Sequence, residues 1–176
     1  MKALLVTLLG AWITGTLILA GVATQNFRTI DRLLSAPTVE FSRAIAPLGQ
    51  NEARVVLRYL SSEQNRLYFR AWGFIQLALG AVILLCSLGH RPLGRAGVIG
   101  SAAVFLLAVI MLLLNWFIVP LGRSLDFVPH TPVPHALSRF WRLHFAYTSL
   151  DATKLILCLW LLIRCSRWSG GLSANR

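Results

Sequence analysis

The chain has 176 residues, of which 56% are hydrophobic and only 13% are charged, whereas a typical soluble domain has about 25% charged residues. Lysine and arginine outnumber aspartate and glutamate by 17 to 6, giving a formal net charge of +11. Because the apolar residues form long blocks flanked by basic residues, the composition excludes an ordinary soluble enzyme, a disordered tail and a disulfide-built secreted module, and it argues against nucleic-acid binding. We predict a single all-α domain, a four-helix transmembrane bundle, residing in the inner or plasma membrane.

The first predicted span covers residues 3–23, which suits the roughly 20 residues that a helix needs to cross a bilayer. The run follows Met1-Lys2 and ends in small residues, so a cleaved secretory signal is the alternative interpretation. The apolar run is longer than a usual signal core, however, and no helix breaker occurs before Pro37. We therefore predict that the first span is retained.

The connection that follows, residues 24–66, is too long to be only a loop, and its composition is not that of a linker. Pro37 and Pro47 interrupt it, and we predict short extramembrane helices around these breaks. Ser61 and Gln64 fit a capping box just before the second span. Such a region is either a solvated connection or a docking face for another copy of the chain or for a membrane protein partner.

The second and third predicted spans cover residues 67–88 and 98–119. The second is charged only at Arg70, near its start, and Pro120 ends the third. The next connection, residues 121–142, is stiffened by three prolines. It holds His130 and His135, whose spacing permits metal binding without being diagnostic of it. We predict no metal site and no cofactor.

The fourth predicted span, residues 143–163, carries a polar stripe formed by His144, Tyr147, Asp151 and Lys154. Spacings of 3, 4 and 3 residues place these side chains on one face of a helix. Lys154 lies about 16 Å into the span by helical rise, where a charge costs about 2.5–3.5 kcal/mol on insertion scales. Asp151, one turn away, is its natural partner.

The number of spans sets the topology, because four spans place both termini on one side of the membrane. The two long connections hold more arginines than the terminal side, but they also hold most of the acidic residues. The first helix usually dominates orientation, and it begins with Met-Lys. We therefore predict cytoplasmic termini and outward-facing connections.

Polar residues of the other predicted spans lie at a depth similar to that of the stripe: Arg70 and Gln76 in the second and Asn115 in the third. In an antiparallel bundle these groups converge on the outer half of the interior, and an intramembrane ionisable residue is a functional candidate by default. We predict an outward-facing pocket for a small ligand, an ion or a proton. The predicted site comprises His144, Tyr147, Asp151, Lys154, Asn115, Gln76 and Arg70.

The alternative hypothesis is a structural or accessory subunit of a membrane complex, in which the Asp151–Lys154 pair only orders the bundle. We predict no enzymatic activity under either hypothesis. Haem ligation requires paired histidines on facing helices, and only His144 lies near a span interior. The sequence has no G-x-S-x-G nucleophile motif, and its three cysteines, Cys86, Cys158 and Cys165, are typical of small buried hydrophobes.

Two short segments carry a family resemblance. Residues 115–120 read Asn-Trp-Phe-Ile-Val-Pro, and residues 140–147 read Phe-Trp-Arg-Leu-His-Phe-Ala-Tyr. This pattern resembles small four-span membrane proteins that are similar to the integral-membrane copper-resistance CopD type. The resemblance implies a four-helix membrane fold, and it implies a metal-binding or polar-ligand role only for Asn115, Arg142 and His144. The first span lacks the histidine expected of CopD itself.

Overall fold

A computed structural model describes residues 1–90, 94–128 and 133–167. The described residues form five helices and no strand: α1 Lys2–Ser35, α2 Val39–Ile45, α3 Gly49–His90, α4 Gly94–Arg123 and α5 His135–Arg167. The all-α prediction is therefore confirmed at this level. His130 lies outside the described residues, so the predicted pairing of His130 with His135 is not placed.

The long helices have the length and composition of membrane spans. Among the described residues, four helices are long and apolar enough to cross a membrane, namely α1, α3, α4 and α5. Each predicted span lies within one of these four helices. The fold is thus consistent with a multi-pass membrane protein, as the composition predicts.

The four long helices pack as a ring in which α1 contacts α3, α3 contacts α4, α4 contacts α5 and α5 contacts α1. Among the described residues, no Cα atom of α3 lies within 8 Å of one in α5, so these two helices face each other diagonally. The thiol of Cys165 donates to the carbonyl oxygen of Lys2 over 3.8 Å. The start of α1 and the end of α5 therefore lie at the same end of the bundle.

Helical periodicity explains which residues form the core. The buried side chains of α1 include Leu5, Leu9, Trp12 and Thr16, and their spacing of three or four residues marks one helix face. Small residues let the other helices approach closely. A Cβ atom added at Gly100 of α4 would lie 2.6 Å from the ring of Trp160, so α4 and α5 pack at this distance only because the position is glycine.

The predicted short helices of the 24–66 connection are not supported. α1 continues to Ser35, and α3 begins at Gly49 and runs without a break for 42 residues. Only the seven-residue α2 is a separate short helix. The capping box predicted at Ser61 and Gln64 is wrong because both residues lie inside α3. The sequence between residue 49 and the span contains no breaker, so the helix has no reason to stop before the span.

Residues 24–35 of α1 and 49–66 of α3 form an antiparallel pair, which we call the stalk. Its own small core comprises Ile30, Leu34 and Ala53, with Phe27 and Leu57 packed against it. Burial of these side chains keeps α1 and α3 together beyond their predicted spans, since helices in proteins depend mainly on the packing of an apolar face.

Polar contacts fix the alignment of the two stalk helices. The side-chain amide of Asn26 donates to Asn65 Oδ1 over 2.7 Å, and Asn65 Nδ2 donates to the Ala23 carbonyl oxygen over 3.1 Å. Arg54 and Asp31 form an ion pair farther along the stalk. These bonds cross from one helix to the other, so they set the register as well as the contact.

Candidate functional site

Lys154 lies at the centre of the bundle, with 0% of its surface exposed. Its ammonium donates a hydrogen bond of 2.5 Å to Asp151 Oδ1, one turn earlier on α5. It donates a second hydrogen bond to Gln76 Oε1 on α3. A buried charge is tolerated only when it is paired and hydrogen-bonded, and the two contacts supply both requirements.

Trp12 of α1 completes this group. Its indole Nε1 donates to Gln76 Oε1 over 3.1 Å, so one amide oxygen accepts hydrogen bonds from two helices. The Lys154 ammonium also lies 5.9 Å from the centroid of the Trp12 ring, within the range of a cation–π interaction. We call Trp12, Gln76, Asp151 and Lys154 the Lys154 cluster.

Trp12 was not among the predicted site residues, although the sequence contains a signal for it. Tryptophan in membrane proteins concentrates at the two interfaces, where its ring lies among headgroups. Trp12 lies in the middle of the first predicted span, far from either end. A tryptophan at that depth needs a hydrogen-bond partner for its N–H, and Gln76 is that partner.

The cluster joins two helices whose backbones do not approach each other. The backbones of α3 and α5 are diagonal, yet the Lys154 side chain crosses the core to reach Gln76. A second diagonal contact lies one layer away, where the rings of Phe69 and Tyr147 meet edge to face at 6.1 Å between centroids. Asp151 is the most accessible member of the cluster, with 24% of its side chain exposed.

The stripe on α5 divides into two parts. Asp151 and Lys154 belong to the cluster, and Tyr147 is buried against Phe69 one turn away. His144 instead stacks on Phe140 of its own helix, with 5.7 Å between the ring centroids. The structure thus brings together Gln76, Asp151 and Lys154, and it leaves His144 in an aromatic contact outside the cluster.

Arg70 and Asn115 do not join the cluster either. Both line a groove of about 520 Å³ between α3 and α4. We call it the interfacial groove, and its lining residues are Arg70, Phe74, Asn115, Trp116, Val119, Pro120 and Arg123. The seven predicted site residues therefore belong to at least two separate environments.

An ionic cluster borders this groove on the stalk side. Arg66 donates to Asp126 Oδ1 and Oδ2 over 2.6 and 2.7 Å, and to Glu63 Oε1 over 2.6 Å. Arg123 donates to both oxygens of Glu63 over 2.9 Å. These hydrogen bonds, first from Arg123 and then from Arg66, lower the pKa of Glu63 from 4.5 to about 2. The four residues join α3 to the end of α4.

Two buried polar atoms lie one helical turn from the Lys154 cluster, toward the stalk. Thr16 Oγ1 and Trp72 Nε1 have no hydrogen-bond partner among the described residues. Thr16 follows Trp12 by one turn on α1, and Trp72 precedes Gln76 by one turn on α3. The Trp72 ring packs against Gly15, next to Thr16 in the chain. Buried polar atoms without partners are rare and call for an explanation.

No protein-family model, curated protein or solved structure matches the chain. The resemblance to the CopD type therefore stays a prediction. Of its three implied residues, Asn115 lines the interfacial groove and His144 stacks on Phe140. Arg142 is exposed. The described residues contain no group of three or more His, Cys, Asp or Glu side chains placed to hold a metal.

Proposed function

We propose that the chain is a non-enzymatic, multi-pass membrane protein whose Lys154 cluster binds and releases a proton from the stalk side. The stalk faces outward in this proposal, with both termini cytoplasmic, because the first span begins with Met-Lys. The burial of Lys154, held by a single carboxylate and a single amide oxygen, is the observation that carries the proposal.

The contacts favour a proton over the other two predicted ligands. The Lys154 ammonium already occupies the position between Asp151 Oδ1 and Gln76 Oε1. A metal cation at this position would require the same two oxygens as ligands. A small organic ligand would need space that the side chains of Lys154 and Trp12 fill. A proton needs no additional space, since it changes only the charge of a group that is already in position.

The polar atoms beside the cluster suggest how protons reach it. Thr16 Oγ1 and Trp72 Nε1 lie one turn toward the stalk, the side on which Asp151 also lies relative to Lys154. An acceptor and a donor at this level would hold a water molecule, and buried waters typically satisfy such groups. The half of the bundle beyond Lys154 contains the apolar side chains of Ile83 and Leu161. Its buried hydroxyls, those of Ser87 and Ser101, already bond to each other and to carbonyl oxygens of their own helices, which supports access from the stalk side.

Trp12 provides the test, because its ring and N–H both contact the cluster. We expect the fluorescence of Trp12, taken as the difference between the wild type and W12F, to shift when the detergent-solubilised protein is titrated from about pH 3 to about pH 11, a range that brackets ordinary carboxyl and amine pKa values. We expect D151N to abolish or displace the shift. A Trp12 signal that is constant over this range rules out the proposal.

A structural or accessory role is the second candidate, and two observations favour it. The Lys154 side chain bridges the diagonal of the bundle, as buried polar groups that specify one packing arrangement do. The stalk also exposes apolar side chains of α3, notably Val55, Val56 and Leu60. This role predicts that a partner, or a second copy, co-purifies in mild detergent through residues 24–66. A chain that always elutes as a lone monomer contradicts it.

A further inference from the structure

We propose that the interfacial groove binds one anionic phospholipid of the leaflet on the stalk side. In this site Arg70 contacts the lipid phosphate, and the apolar wall formed by Phe74 and Trp116 holds the start of an acyl chain. The inference rests on the membrane location proposed above but not on proton binding by the Lys154 cluster. The two sites are separate, because the groove lies between α3 and α4 and Lys154 reaches α3 from the diagonal helix.

The first argument is the residual charge of this edge of the bundle. In the ionic cluster two carboxylates, of Glu63 and Asp126, are matched by two guanidinium groups, of Arg66 and Arg123. Arg70 lines the space next to them, is exposed, and makes no ion pair with any residue that the structure describes. An anion bound at Arg70 therefore neutralises a charge that the described residues leave unmatched.

The second argument is the set of donors that the groove collects. Arg70 and Arg123 both line it, and Asn115 adds a side-chain amide within the wall. Arg123 uses Nε and Nη2 for Glu63, which leaves Nη1 of that guanidinium for another acceptor. Guanidinium groups suit phosphate oxygens because their planar donors match the anion's geometry.

The third argument is the apolar wall. Phe74 is 53% exposed and Trp116 is 66% exposed, and both side chains line the groove together with Val119 and Pro120. Exposed apolar side chains beside an arginine that has no ion pair in the described part of the chain fit a molecule that carries a charged head and a hydrocarbon tail. A free phosphate ion would gain nothing from this wall, so the occupant that we propose is a lipid.

The depth of the groove agrees with this occupant. Arg70 lies near the start of the second predicted span, and Trp116 and Arg123 flank the end of the third. Tryptophan and arginine at span ends lie at headgroup level, where the alkyl part of the arginine contacts hydrocarbon and its guanidinium reaches phosphate. Phe74 is one turn nearer the bilayer centre than Arg70, where the acyl chain begins.

Native mass spectrometry of the purified full chain, incubated with equal amounts of phosphatidylglycerol and phosphatidylcholine, tests the proposal. We expect the wild type to retain one phosphatidylglycerol preferentially, and R70Q to lose about five-fold in this preference, the effect typical of one basic residue near a membrane surface. R142Q is the matched control, since Arg142 is an exposed arginine at the corresponding end of the fourth predicted span. Equal retention by R70Q and the wild type overturns the proposal.

A second measurement locates the acyl chain. Phosphatidylglycerol brominated near the head of its acyl chains should quench Trp116 in mixed vesicles, measured as the difference between the wild type and W116F. Brominated phosphatidylcholine at the same density should quench it less. Quenching that does not depend on the headgroup, or complete displacement of the bound lipid by inorganic phosphate, would show that the apolar wall does not form part of a lipid site.

Discussion

The Lys154 cluster and the ionic cluster use the same chemistry in two different settings. In the Lys154 cluster one ammonium has one carboxylate and one amide oxygen as its partners, and the lysine has no exposed surface. In the ionic cluster two arginines share two carboxylates, and Arg123 remains 52% exposed. The first arrangement has no substitute for a lost partner, whereas the second has both water and a neighbouring charge. Loss of one group should therefore be far more damaging at Lys154.

The most damaging change should be D151N. It leaves the Lys154 ammonium buried without its counterion, and breaking one side of a buried pair typically costs about 3–5 kcal/mol. Thermal unfolding in detergent, followed by circular dichroism, measures the loss.

The matched variant is the double replacement D151L/K154M, which removes both charges and keeps apolar volume. We expect it to recover most of the stability lost in D151N, because replacing a buried pair by apolar residues is often neutral or stabilising. A double variant as unstable as D151N would mean that the loss comes from packing rather than from the unmatched charge.

Q76L should have the next largest effect. It removes the oxygen that accepts from both Lys154 and Trp12, and a hydrogen bond to a charged group contributes about 1.5–3 kcal/mol. Unfolding in detergent gives the magnitude, and Q64L serves as the control because Gln64 is exposed on the same helix. Equal midpoints for Q76L and Q64L would show that the amide oxygen contributes little.

Within the ionic cluster, R66Q should be more destabilising than R123Q. Arg66 is 13% exposed and bonds to both Asp126 and Glu63, whereas the half-exposed Arg123 bonds only to Glu63 among the described residues. Solvent weakens exposed ion pairs, so R123Q should lose less stability than R66Q, even though the hydrogen bonds of Arg123 are the largest cause of the lowered pKa of Glu63. The loss of stability is measured for both variants in the same detergent, and a larger loss for R123Q would contradict this account.

The smallest effect should be a pH dependence carried by Glu63. Its folded-state pKa of about 2 lies below the ordinary value of 4.5, so the folded state holds the ionised form more strongly than the unfolded state does. The resulting stabilisation is complete above about pH 5 and is lost as the pH falls from about 4.5 toward about 2. E63Q should flatten this part of the curve of stability against pH. If E63Q keeps the wild-type slope, the pH dependence belongs to another carboxylate.

Part of the site could be predicted from the sequence because helical spacing is reliable over one or two turns. Asp151 and Lys154 are three residues apart, so their contact depends only on α5 remaining helical. The depth of a residue along its span could be predicted equally well, and depth is the property that predicts Gln76 as a member of the site. Its contact with Lys154 joins diagonal helices, however, and only the packing of the whole bundle determines that distance.

The depth of a residue does not determine which face of the helix carries its side chain, and this explains why Arg70 lies outside the Lys154 cluster. Gln76 lies six positions after Arg70, which at about 100° per residue puts the two side chains about 120° apart around α3. When Gln76 points at Lys154, Arg70 must therefore point elsewhere, and it lies in the groove toward α4. The continuous course of α3 through residues 49–66 follows from the absence of a breaker there and from the packing of α3 on α1, which together outweigh the local capping signal.

The stalk makes one side of the bundle different from the other. α1 and α3 are each unbroken from the far end of the stalk to the layer of Trp12 and Gln76, whereas Lys154 is carried by α5, which has no part in the stalk. The hydrogen bond between Gln76 and Lys154 therefore ties the pair of helices that carries the stalk to a helix that carries none of it.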